Sequence, residues 1–300
     1  MKNPIISIVI SSFNYDCYLR ECIDSALSQT YPDVQVVVID DGSTDESAAI
    51  IRDYGNHVEP VFQSNNGQAA VWNESMSHVR GSWVIFLDSD DRLAPHAAAR
   101  VAAVAGRSPG IVKIHWPMRL IGPDGCPMGI QIPELPLPSG NRLAELIGFG
   151  FDRGPNLATS GNAWRTAFVR QALPIPEEEF RIAADTWLLG LAPLFGSVAS
   201  LDIVCSEYRS HTKNNGAKGS ECERAIDILS RSMLVFKRIA GELIYRGYAV
   251  DIGCWTRANP TFLAYRSVLD GCRMHRATWR ATICPSWESV ESQTILRTIR

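Results

Sequence analysis

The first 105 residues alternate between short apolar runs and stretches of helical periodicity. Residues 5–10 (IISIVI), 34–40 (VQVVVID), 58–62 (VEPVF) and 83–87 (WVIFL) are rich in β-branched and aromatic residues and have the length of strands. Between them, Leu19, Cys22, Ile23, Ala26 and Leu27 fall on one helical face. Ser43 and Glu46 have capping-box spacing, which predicts a helix from there to about Tyr54. Residues 67–79 suit a third helix, and Pro95 opens an Ala-rich fourth. Strands alternating with helices are joined by right-handed crossovers, which gives an α/β fold around a mostly parallel sheet. Ligands of such sheets bind beyond the carboxyl ends of the strands.

Three of those ends are chemically rich: Ser11-Ser12-Phe13-Asn14, Asp40-Asp41-Gly42-Ser43 and Asp88-Ser89-Asp90-Asp91. Carboxylates as close as Asp88, Asp90 and Asp91 repel one another, and a divalent cation would offset the repulsion. Mg²⁺ and Mn²⁺ take hard oxygen ligands, usually one or two carboxylates with waters and substrate phosphates. The competing reading is a solvated acidic turn that leads the next helix. The chain has neither a G-x-G-x-x-G after its first strand nor a G-x-x-x-x-G-K-[ST], so phosphate would have to be held in another way.

After residue 110 the pattern changes. Residues 111–129 read as two strands around an Asp124-Gly125 turn, and residues 133–140 as a Pro-rich loop. Residues 160–172 and 181–196 each hold a helix, and residues 198–211 read as one late strand with a polar loop. From Glu221 onward, Ala225, Ile228, Leu229, Val235, Phe236, Ile239 and Leu243 outline a long amphipathic helix. A net charge of -3 argues against nucleic acid as a partner. No apolar run reaches the roughly 20 residues that span a bilayer, and no signal-peptide pattern is present, so a cytoplasmic protein is expected. The eight cysteines form no C-x-x-C pair and read as reduced, mostly packed thiols rather than a zinc site. The tail is rich in Arg (257, 266, 273, 276, 280) with Trp255 and Trp279. It could lie peripherally on the inner face of a membrane, or pack on the catalytic domain or on a second subunit of a homo-oligomer.

Residues 5–93 carry VISSFN, SALSQTYPD, IDDGSTD, an N-x-G-x-x-x-x-x-N stretch and FLDSDD, in that order. Together they resemble the family 2 glycosyltransferases, which have the GT-A fold. Ala183-Ala184-Asp185 and YRSHTKN (residues 208–214) resemble two later features of that family. One departure is visible: the family often has Ala-Arg before Asn73, where this chain has Val71-Trp72. If that Arg helps hold the donor, the contact is missing here. The resemblance implies a Rossmann-like GT-A domain over residues 1–215, with a nucleotide-sugar half to about 110 and an acceptor half from 111 to 215. Residues 216–300 would form a helical extension. It also implies inverting transfer of a sugar from a nucleotide-diphosphate sugar, expected to be a UDP-sugar, to the hydroxyl of a carbohydrate or lipid-linked acceptor. Surface-polysaccharide or glycolipid synthesis is the usual setting.

The roles follow from the same resemblance and from side-chain chemistry. Asp91 is the first choice as ligand of Mn²⁺ or Mg²⁺, Asp90 assists at the metal or the donor sugar, and Asp88 binds the ribose or supports the metal. His211 could add a ligand, or be merely solvated. Asp41 would accept the N3–H of a uracil-type base, unless it only leads a helix. Ser11 and Phe13 would line the nucleoside pocket, Phe13 being equally suited to the core. Gly67 would let the chain pass close to the donor, unless it is an ordinary helix-leading glycine. Asp185, isolated among apolar residues, is the candidate base for the acceptor hydroxyl, strengthened by burial; the alternative is a helix-leading acid. Ser160, Gly161, Asn162 and Trp187 would border the acceptor pocket. A sugar nucleotidyltransferase would need a Gly-rich basic loop where SSFNYDCY stands, and a non-catalytic binding module would not need acids at three strand ends.

Overall fold

The structure, a computed structural model, describes residues 4–133, 136–151, 158–212 and 220–271. The chain divides into two compact units. One holds the described residues of Met1–Asn141, Pro155–Leu188 and Phe195–Thr212, and the other those of Arg142–Gly154, Leu189–Leu194 and Lys213–Arg300. The domain boundary expected near residue 215 falls in residues 213–219, outside the described residues.

In chain order the elements begin with β1 (Ile6–Ser12), α1 (Asp16–Leu27), β2 (Val34–Asp40), α2 (Ser47–Asp53), β3 (Glu59–Phe62) and α3 (Gln68–His78). Then come β4 (Trp83–Asp88), β5 (Arg92–Leu93), α4 (Ala97–Ala105), β6 (Ile111–His115), β7 (Met118–Ile121), β8 (Pro127–Ile132) and α5 (Leu143–Phe149). They are followed by β9 (Asn162–Arg165), α6 (Thr166–Ala172), α7 (Asp185–Phe195), β10 (Ser197–Ser200) and β11 (Ser206–Arg209). The series ends with α8 (Glu221–Tyr245), α9 (Ile252–Ala258) and α10 (Pro260–Gly271).

The main sheet has the order β10-β6-β9-β4-β1-β2-β3, and β9 alone among these strands runs against its neighbours. Its central strands are covered on both faces, which is why they read as continuous apolar runs. On one face Ile6, Ile8 and Ile10 pack with Leu19 and Ile23 of α1 and Val101 of α4; each such side chain stabilises the fold by about 1.5–3 kcal/mol. On the other face Trp72 of α3 stacks on Phe86 of β4, 3.8 Å between ring centroids and 9° between planes. Trp72 is fully buried, so position 72 is a core position in this chain. A second sheet, β5-β11-β7-β8, extends the chain beyond β4.

Four local expectations need correction. The helix expected from Ser43 starts at Ser47, because residues 43–46 are tied to the loop after β1 instead. Asn14 N–H donates to Ser43 Oγ (3.0 Å), Thr44 N–H to Asn14 Oδ1 (2.8 Å) and Asp16 N–H to Asp45 Oδ2 (3.1 Å). Residues 111–129 give β6 besides the hairpin of β7 and β8, and the late strand is two strands, β10 and β11, in different sheets. Not all the cysteines are packed thiols: Cys17, Cys126 and Cys254 are exposed, and Cys222 is disulfide-bonded.

In the second unit α8 runs from a capping box, in which Ser220 Oγ accepts from Glu223 N–H. Its apolar face carries Phe236, which meets the rings of Trp255 and Phe262. Trp255 is buried and donates to Ile147 O (2.8 Å), so its ring belongs to the core of this unit. Arg273, Arg276, Arg280 and Trp279 lie outside the described residues. Among the described residues no helix is long and apolar enough to cross a membrane.

Candidate active site

The chain leaves β1 toward β2 and β3 on one side and returns to β4 on the other, so the sheet's switch point lies between β1 and β4. Register places Ser11 opposite both Ile39 and Asp88, and Ser12 opposite Asp40. The three polar strand ends are therefore neighbours on one edge of one sheet. Ser11 Oγ is buried without a hydrogen-bond partner among the described residues, and Phe13 is 42% exposed, outside the core.

Asp41 is buried and already holds three donors. Its Oδ1 accepts from Gln63 Nε2 (2.7 Å) and Asn66 N–H (3.0 Å), and its Oδ2 from Gly67 N–H (2.8 Å). With two lone pairs per oxygen, Oδ2 retains one acceptor position. Gly67 has φ +91°, and a Cβ there would stand 2.8 Å from the Arg181 backbone. Its close approach is thus to the segment before α7.

The turn after β4 holds the acids. Asp90 Oδ2 meets His211 Nε2 at 3.0 Å, and the buried imidazole packs beside the rings of Tyr15 and Tyr18, 5.4 and 5.0 Å away between centroids. Asp91, 1% exposed, accepts from Arg209 N–H (2.9 Å) and from Ser160 Oγ–H (2.6 Å). Arg209 was missed at the level of sequence although it lies within the YRSHTKN stretch. Its side chain donates to Asp90 O (2.8 Å), Pro123 O (3.1 Å) and Glu21 (2.8 Å), with the guanidinium 4.7 Å from the centre of the Tyr18 ring. Only the fold brings β11 to this turn, through its pairing with β5.

Burial, then the charges of Asp90 and Asp185, push the Asp88 carboxyl up to about 8; hydrogen bonds from Thr159 and Gln68 oppose this. Burial likewise raises Asp90, against the pull of His211. Burial and the charges of Asp90 and Asp88 put Asp91 well above the usual carboxylate range. Among the described residues no three His, Cys, Asp or Glu side chains form a ready cage for a metal ion. A cation bound mainly by a nucleotide diphosphate needs only one or two protein ligands of hard type. Asp90 and Asp91, buried and electrostatically unfavourable as anions, fit that part, with His211 beside Asp90.

Ser160, Gly161 and Asn162 lie in the interior. All three are fully buried, and Ser160 Oγ accepts from Asp88 N–H (3.2 Å) while donating to Asp91. The turn Thr159–Gly161 supports the acids from below. Trp187 is also turned inward, donating to Ala172 O (2.8 Å) and meeting the edge of Phe180. Asp185 opens α7 and is 4% exposed. Its charge also acts on Lys113 of β6, which is buried 5.4 Å from the centre of the Trp164 ring. Burial lowers the Lys113 ammonium to about 7 against the attraction of Asp185.

The chain is similar to known proteins in sequence and in fold. Residues 7–165 match the family described as Glycosyl transferase family 2. An uncharacterised glycosyltransferase of Nostoc sp. is 32% identical over 216 residues, 70% of this chain and 66% of that protein. The chondroitin synthase of Pasteurella multocida is 34% identical over 125 residues, 41% of this chain and 13% of that protein. The chain thus spans less than two thirds of the length of these relatives. The S. aureus TarS fragment 1-349 in complex with UDP-GlcNAc superposes with TM-score 0.55 at 17% identity, covering 96% of this chain and 90% of that one. The mannosyltransferase PcManGT of Pyrobaculum calidifontis, in complex with GDP-Man and Mn²⁺, gives 0.54 at 15% identity, covering 97% and 85%. The mostly parallel α/β sheet with its acid-bearing edge is the GT-A fold, and the chain belongs to glycosyl transferase family 2.

Proposed function

We propose that this protein transfers a sugar from a nucleotide-diphosphate sugar, with uridine as the nucleoside, to an acceptor hydroxyl with inversion, in the synthesis of a surface polysaccharide or glycolipid. The observation that carries the proposal is the meeting of Ser11, Asp41 and the Asp88–Asp91 turn at one switch point, with Asp185 close enough to act electrostatically on Asp88. The free acceptor position on Asp41 Oδ2 suits the N3–H of uracil, and the exposed Phe13 ring offers a stacking face. Asp90, Asp91 and His211 would hold Mn²⁺ or Mg²⁺, whose charge would stabilise the diphosphate leaving group. Bound by this edge, the donor has its diphosphate at the acid turn and its anomeric carbon facing α7. Asp185 then takes the proton of the acceptor hydroxyl as that oxygen attacks from the face opposite the leaving group, a geometry shared with inverting glycoside hydrolysis.

The test incubates the protein with Mn²⁺ and a panel of nucleotide sugars, reading thermal stabilisation and nucleoside-diphosphate release. One donor should raise the melting temperature only with metal present and be consumed when the right acceptor is added. The absence of both stabilisation and release with every donor would overturn the reading.

A further inference from the structure

Gln68 is the first helical residue of α3, and it makes contacts at both ends of its amide. Its Nε2 donates to Asp88 Oδ1 (3.1 Å), and its Oε1 accepts from Ala184 N–H (2.9 Å). Its own backbone N–H donates to Arg181 O (2.8 Å), and Ala69 N–H follows with Phe180 O (3.2 Å). The N-terminus of α3 is therefore closed by residues 180–181 and joined by a side chain to residue 184. Between these points Ala183 sits at φ 62°, a left-handed conformation that residues with a Cβ seldom hold without support. The next bonds, Thr186 N–H to Ala183 O (3.1 Å) and Trp187 N–H to Ala184 O (3.2 Å), form the first turn of α7, which carries Asp185.

This linkage has a chemical requirement. One side chain must donate to a carboxylate and accept from a peptide N–H at the same time, which an amide does and a carboxylate does not. The chain must also be long enough to span both partners; asparagine is one methylene shorter. We propose that Gln68 is a positioning residue that fixes where Asp185 stands relative to Asp88, and so couples departure of the diphosphate to attack by the acceptor hydroxyl. The inference rests on the role given to Asp185 above. Gln68 itself touches no reacting atom. With the tether cut, the turn at residues 183–184 loses one of the bonds holding its strained backbone, and Asp185 can drift. A misplacement of about 1 Å in such a group can cost on the order of 100-fold in rate.

Gln68→Met keeps length and bulk and removes both side-chain bonds. It should lower kcat for sugar transfer by about 10- to 100-fold, with the donor Kd measured by calorimetry within about threefold of wild type. The ratio of donor hydrolysis to sugar transfer should rise, since water tolerates a misplaced base better than a bound acceptor does. Gln68→Asn, too short for both contacts, should behave alike and serves if the Met variant is insoluble. Hydrogen exchange in the absence of donor supplies a readout independent of activity: amides of residues 184–187 should exchange faster in either variant. Unchanged exchange there would overturn the tether, and so would unchanged kcat or a loss carried wholly by donor Kd. If the wild type shows no transfer with any donor, the proposed reaction falls and the exchange result still decides whether Gln68 holds this turn.

Discussion

Replacing Lys113 with Met should stabilise the protein, and by an amount that depends on pH. Lys113 is 5% exposed, and among the described residues no carboxylate lies within ion-pair distance of it. Burial lowers its ammonium from 10.5 to about 7, and the attraction of Asp185 is already contained in that value. The difference is about 3.5, and each pKa unit corresponds to ~1.36 kcal/mol. Holding the charge in the fold therefore costs up to about 5 kcal/mol below pH 7 and about 4 kcal/mol at pH 7 itself. The unfolded chain binds more protons than the folded one between about 7 and 10.5, so the wild type gains stability as pH rises through that window. By pH 9 the cost has fallen to about 2 kcal/mol. Methionine has nearly the length of the lysine stem, carries no charge, and makes favourable contact with an aromatic ring such as Trp164. Urea unfolding at pH 7 and pH 9 checks this. Lys113→Met should be the more stable at both, with its advantage shrinking by about 2 kcal/mol between them. A Met variant less stable at pH 7, or an advantage that does not change with pH, would show that the lysine is not held as a buried, poorly compensated cation.

Three further outcomes follow from the site. Asp185→Asn should leave donor affinity by calorimetry within about twofold while turnover drops by on the order of 10²- to 10⁴-fold, the usual contribution of general-base catalysis; full transfer by the Asn variant would remove Asp185 from the mechanism. Gly67→Ala forces a Cβ into a position 2.8 Å from the Arg181 backbone at φ +91°, and should lower stability in urea by about 2 kcal/mol or more. Ser160→Ala leaves Asp91 Oδ2 and Asp88 N–H short of a partner, and should cost about 1–3 kcal/mol. The Mn²⁺-dependent part of donor stabilisation should weaken with it, read as a smaller melting-temperature rise on adding metal and donor.

Sequence pattern located the strand ends because the signals that make strands and helices are local. The run from Trp83 to Leu87 is apolar because β4 is covered on both faces, and the register with β1 then places Asp88 beside Ser11. Trp72, noted only as a departure from the family pattern, proved to be core, which stacking on Phe86 explains and spacing could not show. What stayed hidden is what arrives from far along the chain. Ser160 reaches Asp91 across 69 residues, Ala184 reaches Gln68 across 116, and Arg209 reaches Asp90 across 119. No periodicity encodes these contacts; they exist because β9, α7 and β11 return to the edge that β4 ends on. The Ser43 capping-box spacing failed for a related reason, since the loop after β1 offered its hydroxyl a nearer donor.

These distant contacts also explain how a repulsive cluster is tolerated. Arg209 donates to the peptide oxygens of Asp90 and Pro123, and Ser160 accepts from the Asp88 N–H, so the turn is braced through its backbone. Bracing is different from neutralisation. With Arg209 and His211 both favouring the charged form of Asp90, burial still keeps its carboxyl above the ordinary range, and Asp88 and Asp91 stand higher than theirs as well. The fold thus fixes the position of three acids while favouring their neutral form over the charged one. A cation that reaches this turn with a diphosphate would favour the ionised carboxylates and displace their protons as it binds, so donor affinity at the turn should depend on metal far more steeply than the stability of the sheet beneath it.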